Sequence, residues 1–325
     1  MNDFKRLFDI PFYQLNKFPK QDSICGKQNG QWKLYSSQDV IGEMNRVSDA
    51  ALSYGLKKGD NVAIISGNRP EWNFIDLGMM QIGVVMVPVY PNISEADCIY
   101  IFNDAKVKMV FVSNAELFTK VISIQSKVPS LKNVFTFDNV SGGDSWTKFL
   151  SAGNGNNKDE IEKITNGISE NDLACLIYTS GTTGFPKGVM LSHKNVVSNI
   201  KDSSAYVPVG QGDKALSFLP LNHSFEKMVT ALYMAHGVSI YYSETMDNLG
   251  DVIREVKPNV FTAVPRLIEK VFERIINKGR ELKGIKRALF FWSVSLGEKY
   301  DTQKHLGILY QLQLWLANKI IFNKF

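Results

Sequence analysis

Three cysteines and four histidines are all that the 325 residues offer toward thiol or imidazole metal chemistry. Cys25, Cys98 and Cys175 lie far apart and show no metal-binding or redox spacing, so neither a zinc site nor a dithiol motif is expected. An odd number of thiols without a secretory leader fits a reducing, cytoplasmic setting. The opening Met1-Asn2-Asp3-Phe4-Lys5 has no apolar core of a signal peptide. Uninterrupted apolar runs of about 18 residues are missing too, which excludes a spanning helix. Charge is nearly balanced, 37 Lys/Arg against 32 Asp/Glu, too little excess to argue for a nucleic-acid partner. With 44% hydrophobic and 21% charged residues, a disordered chain is excluded and a sizeable buried core is expected.

What the chain does have is one dense loop. Leu173 to Tyr178 is apolar and β-prone and reads as a buried strand. Thr179-Ser180-Gly181-Thr182-Thr183-Gly184 follows, then Phe185-Pro186-Lys187-Gly188 and a second apolar run, Val189 to Leu191. Ser192 is placed to cap a helix starting near His193. Glycines let backbone N–H groups turn toward an anion, hydroxyls add donors, and Lys187 adds a mobile positive charge. That is the chemistry of a polyphosphate cradle. Thr-Gly and Pro-Lys-Gly are also turn chemistry, but a plain hairpin has no use for four hydroxyls and a lysine between two strands. The P-loop pattern does not fit, because Pro186 stands where its second glycine belongs and Gly188 where its Ser/Thr belongs.

The rest of the chain alternates. Ser37 to Leu56 has helical spacing, and predicted strands at Val62–Ile65, Val84–Val89, Met109–Val112 and Val134–Phe137 are separated by helices. Residues 1–35 show only a short strand around Trp32 and Tyr35. Residues 138–172 have the Gly, Ser and Asn content of a flexible connector, interrupted by a short helix from Trp146 to Leu150. Strands at Ala215–Leu219, Val238–Tyr242 and Val260–Val264 alternate with helices at Phe225–His236 and Leu249–Val256. The pattern implies an α/β fold with doubly wound, mostly parallel sheets and flanking helices.

Two further stretches end predicted strands, where open α/β sheets bind ligands. In Leu219-Pro220-Leu221-Asn222-His223-Ser224-Phe225-Glu226, His223 either lines a pocket with Phe225 or caps the helix. Glu226 either orients them or sits in the first turn facing solvent. In Val264-Pro265-Arg266-Leu267, Arg266 is either a site cation or a surface charge behind a helix-opening proline. His193, His236 and His305 have no partner spacing and read as capping, helix-end or surface residues.

The run Tyr178-Thr179-Ser180-Gly181-Thr182-Thr183-Gly184-Phe185-Pro186-Lys187-Gly188-Val189 closely resembles the ATP-phosphate loop of the adenylate-forming (AMP-binding) superfamily. The Leu219–Glu226 and Val264–Leu267 stretches resemble segments of its long-chain fatty acid–CoA ligase (acyl-CoA synthetase) subgroup, and the likeness extends from about Tyr35 to the end. The resemblance implies ATP-dependent activation of a fatty acid as acyl-adenylate, then transfer to coenzyme A. ATP, magnesium carried with it, and coenzyme A are the implied cofactor and co-substrates, with no metal held by the protein. It assigns Thr179, Ser180, Gly181, Thr182, Thr183, Gly184 and Lys187 to the ATP phosphates, with Lys187 and His223 as catalytic. His223, Phe225, Glu226 and Arg266 fall to the acyl or adenylate pocket. That subgroup's Tyr-Gly-x-Thr-Glu segment, ribose-binding aspartate, hinge and C-terminal lysine have no counterpart here. Residues 1–325 are thus expected to form the N-terminal part of a large adenylation domain, without the small C-terminal domain and inactive alone.

Two other functions stay open: a ligase adenylating another carboxylic acid, or a non-catalytic module binding a nucleotide or a lipid surface. From Lys278 to Phe325, nine Lys/Arg face three Asp/Glu among interleaved aromatics. Helices packing on further protein are the favoured reading of that tail, and peripheral membrane contact is the other.

Overall fold

The computed structural model describes residues 3–180, 184–243, 249–301 and 306–322. A 3-10 turn (Leu7–Asp9) leads into α1 (Ile10–Lys17) and the hairpin β1 (Ile24–Gln28) and β2 (Gln31–Tyr35). Next come α2 (Ser37–Ser53), β3 (Asn61–Ile65), α3 (Pro70–Gln81), β4 (Val85–Val89), α4 (Glu95–Asp104), β5 (Val107–Val112), α5 (Ala115–Gln125) and β6 (Asn133–Thr136). The chain continues through β7 (Asp144–Ser145), α6 (Trp146–Ser151), α7 (Lys158–Asn166), β8 (Leu173–Thr179), β9 (Lys187–Ser192) and α8 (His193–Ser203). It then adds β10 (Lys214–Ser217), α9 (Ser224–Ala235), β11 (Ser239–Tyr242), α10 (Leu249–Val256) and β12 (Val260–Phe261). Helices α11 (Pro265–Glu281), α12 (Gly284–Glu298) and α13 (Ile308–Ile320) follow.

The strands form two sheets, one of seven in the order β7-β6-β5-β3-β4-β8-β9 and one of five in the order β12-β10-β11-β1-β2. All described pairings are parallel except β1 with β2 and β8 with β9. The fold is therefore the α/β arrangement of mostly parallel sheets that the alternation implied. Side-chain alternation along the strands decides which core each residue joins. In β3, Val62 and Ile64 enter the core shared with the five-stranded sheet, while Ala63 and Ile65 enter the one covered by α4 and α5. Helix α3 lies in the shared core with every residue buried, and its buried Asp76 is paired with Lys227.

Local signals place the elements. Ser36 and Asp39 form a capping box that starts α2, and Pro70 sits in the first turn of α3 behind Arg69. Ser192 caps α8 as expected, accepting from the Asn195 amide. Other boundaries differ for definite reasons. Strand β10 stops at Ser217 because the carbonyl of Leu219 and the amide of Leu221 bond to the Asn68 side chain instead of a neighbouring strand. Strand β12 ends at Phe261, well short of Val264, which is the cap of α11. Residues 138–172 carry β7, α6 and α7, and the Asp49 carboxylate accepts from the backbone amides of Gly155 (2.7 Å) and Asn157 (3.3 Å).

Two compact units make up the chain, residues 1–262 and 263–325. Within the second, Gly279 lies so close to the Phe290 ring that a Cβ there would meet it at 2.0 Å. The Tyr310 hydroxyl donates to the Leu296 carbonyl at 2.7 Å, tying α13 to α12. Among the described residues no helix is long and apolar enough to cross a membrane.

Candidate active site

Strands β8 and β9 are antiparallel, with Tyr178 opposite Gly188 and Thr179 opposite Lys187. The dense loop thus does cap a hairpin, and that hairpin projects Thr179, Ser180 and Lys187 into the open, all three exposed. Gly184 has φ of +90°, a conformation that glycine alone adopts without strain. Gly188 leaves room for the Tyr178 ring, whose Cζ would lie 3.0 Å from a Cβ at that position. Among the described residues Lys187 has no ion pair, so its ammonium is available to an incoming anion. Gly181, Thr182 and Thr183 lie outside the described residues.

The second motif turns tightly after β10. Asn68, which follows β3, holds this turn from the other sheet: its Nδ2 donates to the Leu219 carbonyl (2.7 Å) and Ser217 Oγ (3.3 Å), and its Oδ1 accepts from the Leu221 amide (3.1 Å). Asn222 is buried and donates to the carbonyl of Val89, the last residue of β4. The carboxyl ends of the two sheets are thereby pinned to each other by two side-chain amides. Because β4 also pairs with β8, the His223 turn and the loop that follows β8 are linked through one strand. A cavity of about 540 Å³ lies at that end, lined by Val89, Tyr90, Asn92, Thr179, Ser180 and Gly184 among others.

His223 is the N-cap of α9 and exposed; its Nδ1 accepts from the Phe225 amide at 3.1 Å. When neutral the ring must therefore carry its proton on Nε2, making that nitrogen a donor. Phe225 is 40% exposed at the same helix start. Glu226 does not face solvent. It is 1% exposed and accepts from Ser217 Oγ (2.5 Å) and Thr262 Oγ1 (2.9 Å), joining the end of β10 to the segment after β12. Burial raises its pKa to about 7, with both hydroxyls acting in the opposite direction. The next residue, Lys227, forms a buried ion pair with Asp76 and lies 5.1 Å from the Trp72 ring centroid. Arg266 lies in the first turn of α11, exposed, in the second unit.

Sequence reasoning missed several contributors. Asn222 stood in a quoted motif, yet nothing in its spacing or in that of Asn68 pointed across to another sheet. His193 is not a surface residue. It is buried, accepts at Nδ1 from the Leu7 amide (3.3 Å), packs edge-on to Phe8, and burial lowers its pKa to about 4. His236 is the C-cap of α9, and His305 lies outside the described residues. The three thiols are buried; burial pushes Cys25 and Cys98 up to about 12 and Cys175 to about 11, keeping them protonated and unreactive. Among the described residues no group of three His, Cys, Asp or Glu is arranged to hold a metal ion.

The AMP-binding enzyme family, as a sequence model, matches residues 12–304. The chain belongs to that family. This AMP-binding chain is 27% identical over 342 residues to the long-chain-fatty-acid–CoA ligase ACSBG2 of Xenopus laevis, covering 99% of itself and 46% of the relative. Against long-chain-fatty-acid–CoA ligase 1 of Homo sapiens it is 29% identical over 333 residues, covering 95% and 45%. It thus spans somewhat under half the length of these curated relatives. In fold it is similar to the N-terminal domain of FACL13 from Mycobacterium tuberculosis, with TM-score 0.71, 18% identity and coverage of 87% and 68%.

Proposed function

We propose that the protein to which this AMP-binding chain belongs activates a long-chain fatty acid with ATP, as acyl-adenylate, and passes the acyl group to coenzyme A. The observation that carries this reading is the exposed β8–β9 loop, with hydroxyls and Lys187 opposed across an antiparallel pair. The likeness to long-chain-fatty-acid–CoA ligases supports the choice of acid.

In the first step a fatty carboxylate oxygen attacks the α-phosphorus of ATP and pyrophosphate leaves. Thr179, Ser180 and the Gly181–Gly184 stretch would cradle the β- and γ-phosphates, and Lys187 would neutralise charge developing on the leaving pyrophosphate. Magnesium would arrive on the nucleotide. The Nε2–H of His223 is suited to donate to the acyl carbonyl or a phosphate oxygen, since the helix start already occupies Nδ1. Phe225 would border the acyl chain. In the second step the thiol of coenzyme A attacks the acyl carbonyl and AMP leaves. Residues 1–325 by themselves are expected to form no thioester, since the magnesium and ribose segments of similar ligases are not among them.

Acid-dependent exchange of labelled pyrophosphate into ATP tests this reading, on the protein at the length of its relatives, with acetate, octanoate, palmitate and benzoate. Exchange is expected to peak with palmitate and to fall about 10- to 100-fold in Lys187→Ala, the loss of a charge-assisted phosphate contact. A peak with benzoate would point to a ligase for another acid. Absence of exchange with every acid would leave a non-catalytic nucleotide or lipid-surface module.

A further inference from the structure

Helix α4 lies beside the β8–β9 loop and touches both of its arms. Its buried face, Cys98, Ile101 and Phe102, packs into the core that also holds Val87 and Val110, so the helix is a fixed body. Ser94 caps its start, accepting from the Asp97 amide at 3.1 Å. Tyr100 and Asp104 stand four residues apart, on one side of the helix. Each meets a different arm of the loop. The Tyr178 hydroxyl, at the end of β8, donates to Asp104 Oδ2 at 2.5 Å. On the returning arm the Phe185 ring stacks on Tyr100, with centroids 5.2 Å apart and planes 26° from parallel.

We propose that Tyr100 and Asp104 are positioning residues of the phosphate loop, fixing its two arms on one rigid helix so that Thr179, Ser180 and Lys187 are held ready for a polyphosphate. This inference rests on the phosphate reading of the loop given above. Three local facts favour it over incidental contact. Tyr178 immediately precedes Thr179, so fixing its ring sets the direction of the first hydroxyl. Phe185 precedes Lys187 by two residues, so stacking its ring holds the chain just before β9 begins. Gly188, directly opposite Tyr178, carries no Cβ, and a Cβ there would stand 3.2 Å from the Tyr178 hydroxyl oxygen and crowd the ring.

The physical effect is preorganisation. Loop amides and hydroxyls that must be ordered as the nucleotide arrives subtract their ordering entropy from affinity, and clamping both ends beforehand removes part of that cost. Burial, with Asp104 adding to it, holds the Tyr178 phenol above its ordinary range, so it remains a donor at any physiological pH.

Two readouts, on the protein at the length of its relatives, test the proposal. Hydrogen exchange of the backbone amides between Tyr178 and Gly188 is expected to accelerate in Asp104→Ala, Tyr178→Phe and Tyr100→Leu, with exchange in β3 and β5 unchanged. Titration with ATP is expected to show about 3- to 10-fold weaker binding in each. The double variant Asp104→Ala with Tyr178→Phe should be no weaker than either single one, because both remove the same bond. Asp104→Asn keeps a carbonyl acceptor and should restore most of the affinity. Wild-type affinity for ATP matched by all variants would overturn the proposal, as would loop exchange that no variant alters. Accelerated loop exchange in a chain without ATP affinity would support the anchoring and sink the phosphate reading, so the two failures are distinguishable.

Discussion

The β8–β9 loop and the turn that carries His223 follow strands of different sheets, and their backbones are held in opposite ways. The first stands clear of the core, touches α4 through two side chains and leaves Lys187 in solvent. The second is bound from below by buried polar groups: Asn68, Asn222, Glu226 and the Lys227–Asp76 pair. An exposed arm and a buried, hydrogen-bonded wall ask different things of the same fold. Substitutions in the wall should therefore unfold the protein, and those in the arm should spare the fold and weaken ligand binding.

The largest effect is expected from Lys227→Met, which leaves Asp76 buried and unpaired; urea unfolding should show a loss of about 3–5 kcal/mol. Asn68→Ala removes the partner of the Leu219 carbonyl and the Leu221 amide and is expected to cost about 2–3 kcal/mol in the same measurement. If either variant unfolds like the wild type, these buried bonds do not hold the wall.

Protonation sharpens the comparison, because one buried titrating group lies on each side of it. Glu226 has a folded pKa raised to about 7, so between roughly 4.5 and 7 the folded state holds more of its proton than the unfolded state, and its contribution falls as pH rises. His193, which leaves β9, has a folded pKa lowered to about 4, so between about 4 and 6.5 the unfolded state holds more of the proton and stability rises with pH. In the wild type the two slopes oppose each other. Glu226→Gln is expected to unmask a rise of the unfolding midpoint with pH, and His193→Gln a fall. Parallel profiles in the two variants would dismiss this account. The smallest stability effect belongs to Lys187→Ala, expected within about 0.5 kcal/mol of wild type by thermal melting. Its consequence should appear in ATP binding and in pyrophosphate exchange.

Much of this molecule was legible in the chain. The strand–helix alternation, the cap at Ser192 and the loop from Thr179 to Lys187 all rest on local rules: side-chain period, capping chemistry and the backbone freedom of glycine. Helix α1 and strand β1 were not readable, since Ile24-Cys25-Gly26-Lys27-Gln28 has no alternation of its own and becomes a strand by lying between β11 and β2. Glu226 looked like either a pocket residue or a solvent-facing first-turn carboxylate. Only the packing of β10 and the residues after β12 around it made it a buried, hydroxyl-bonded acid. His193 looked like a surface cap until the segment containing Leu7 and Phe8 folded over it, and Asp104 drew no notice until α4 lay against Tyr178. Sequence by itself determined most of the elements and which donors the loop carries, because those depend on neighbours along the chain. Tertiary structure alone decided which polar groups are buried, how they are paired and what holds the loop, because those partners lie from 9 to 186 residues away.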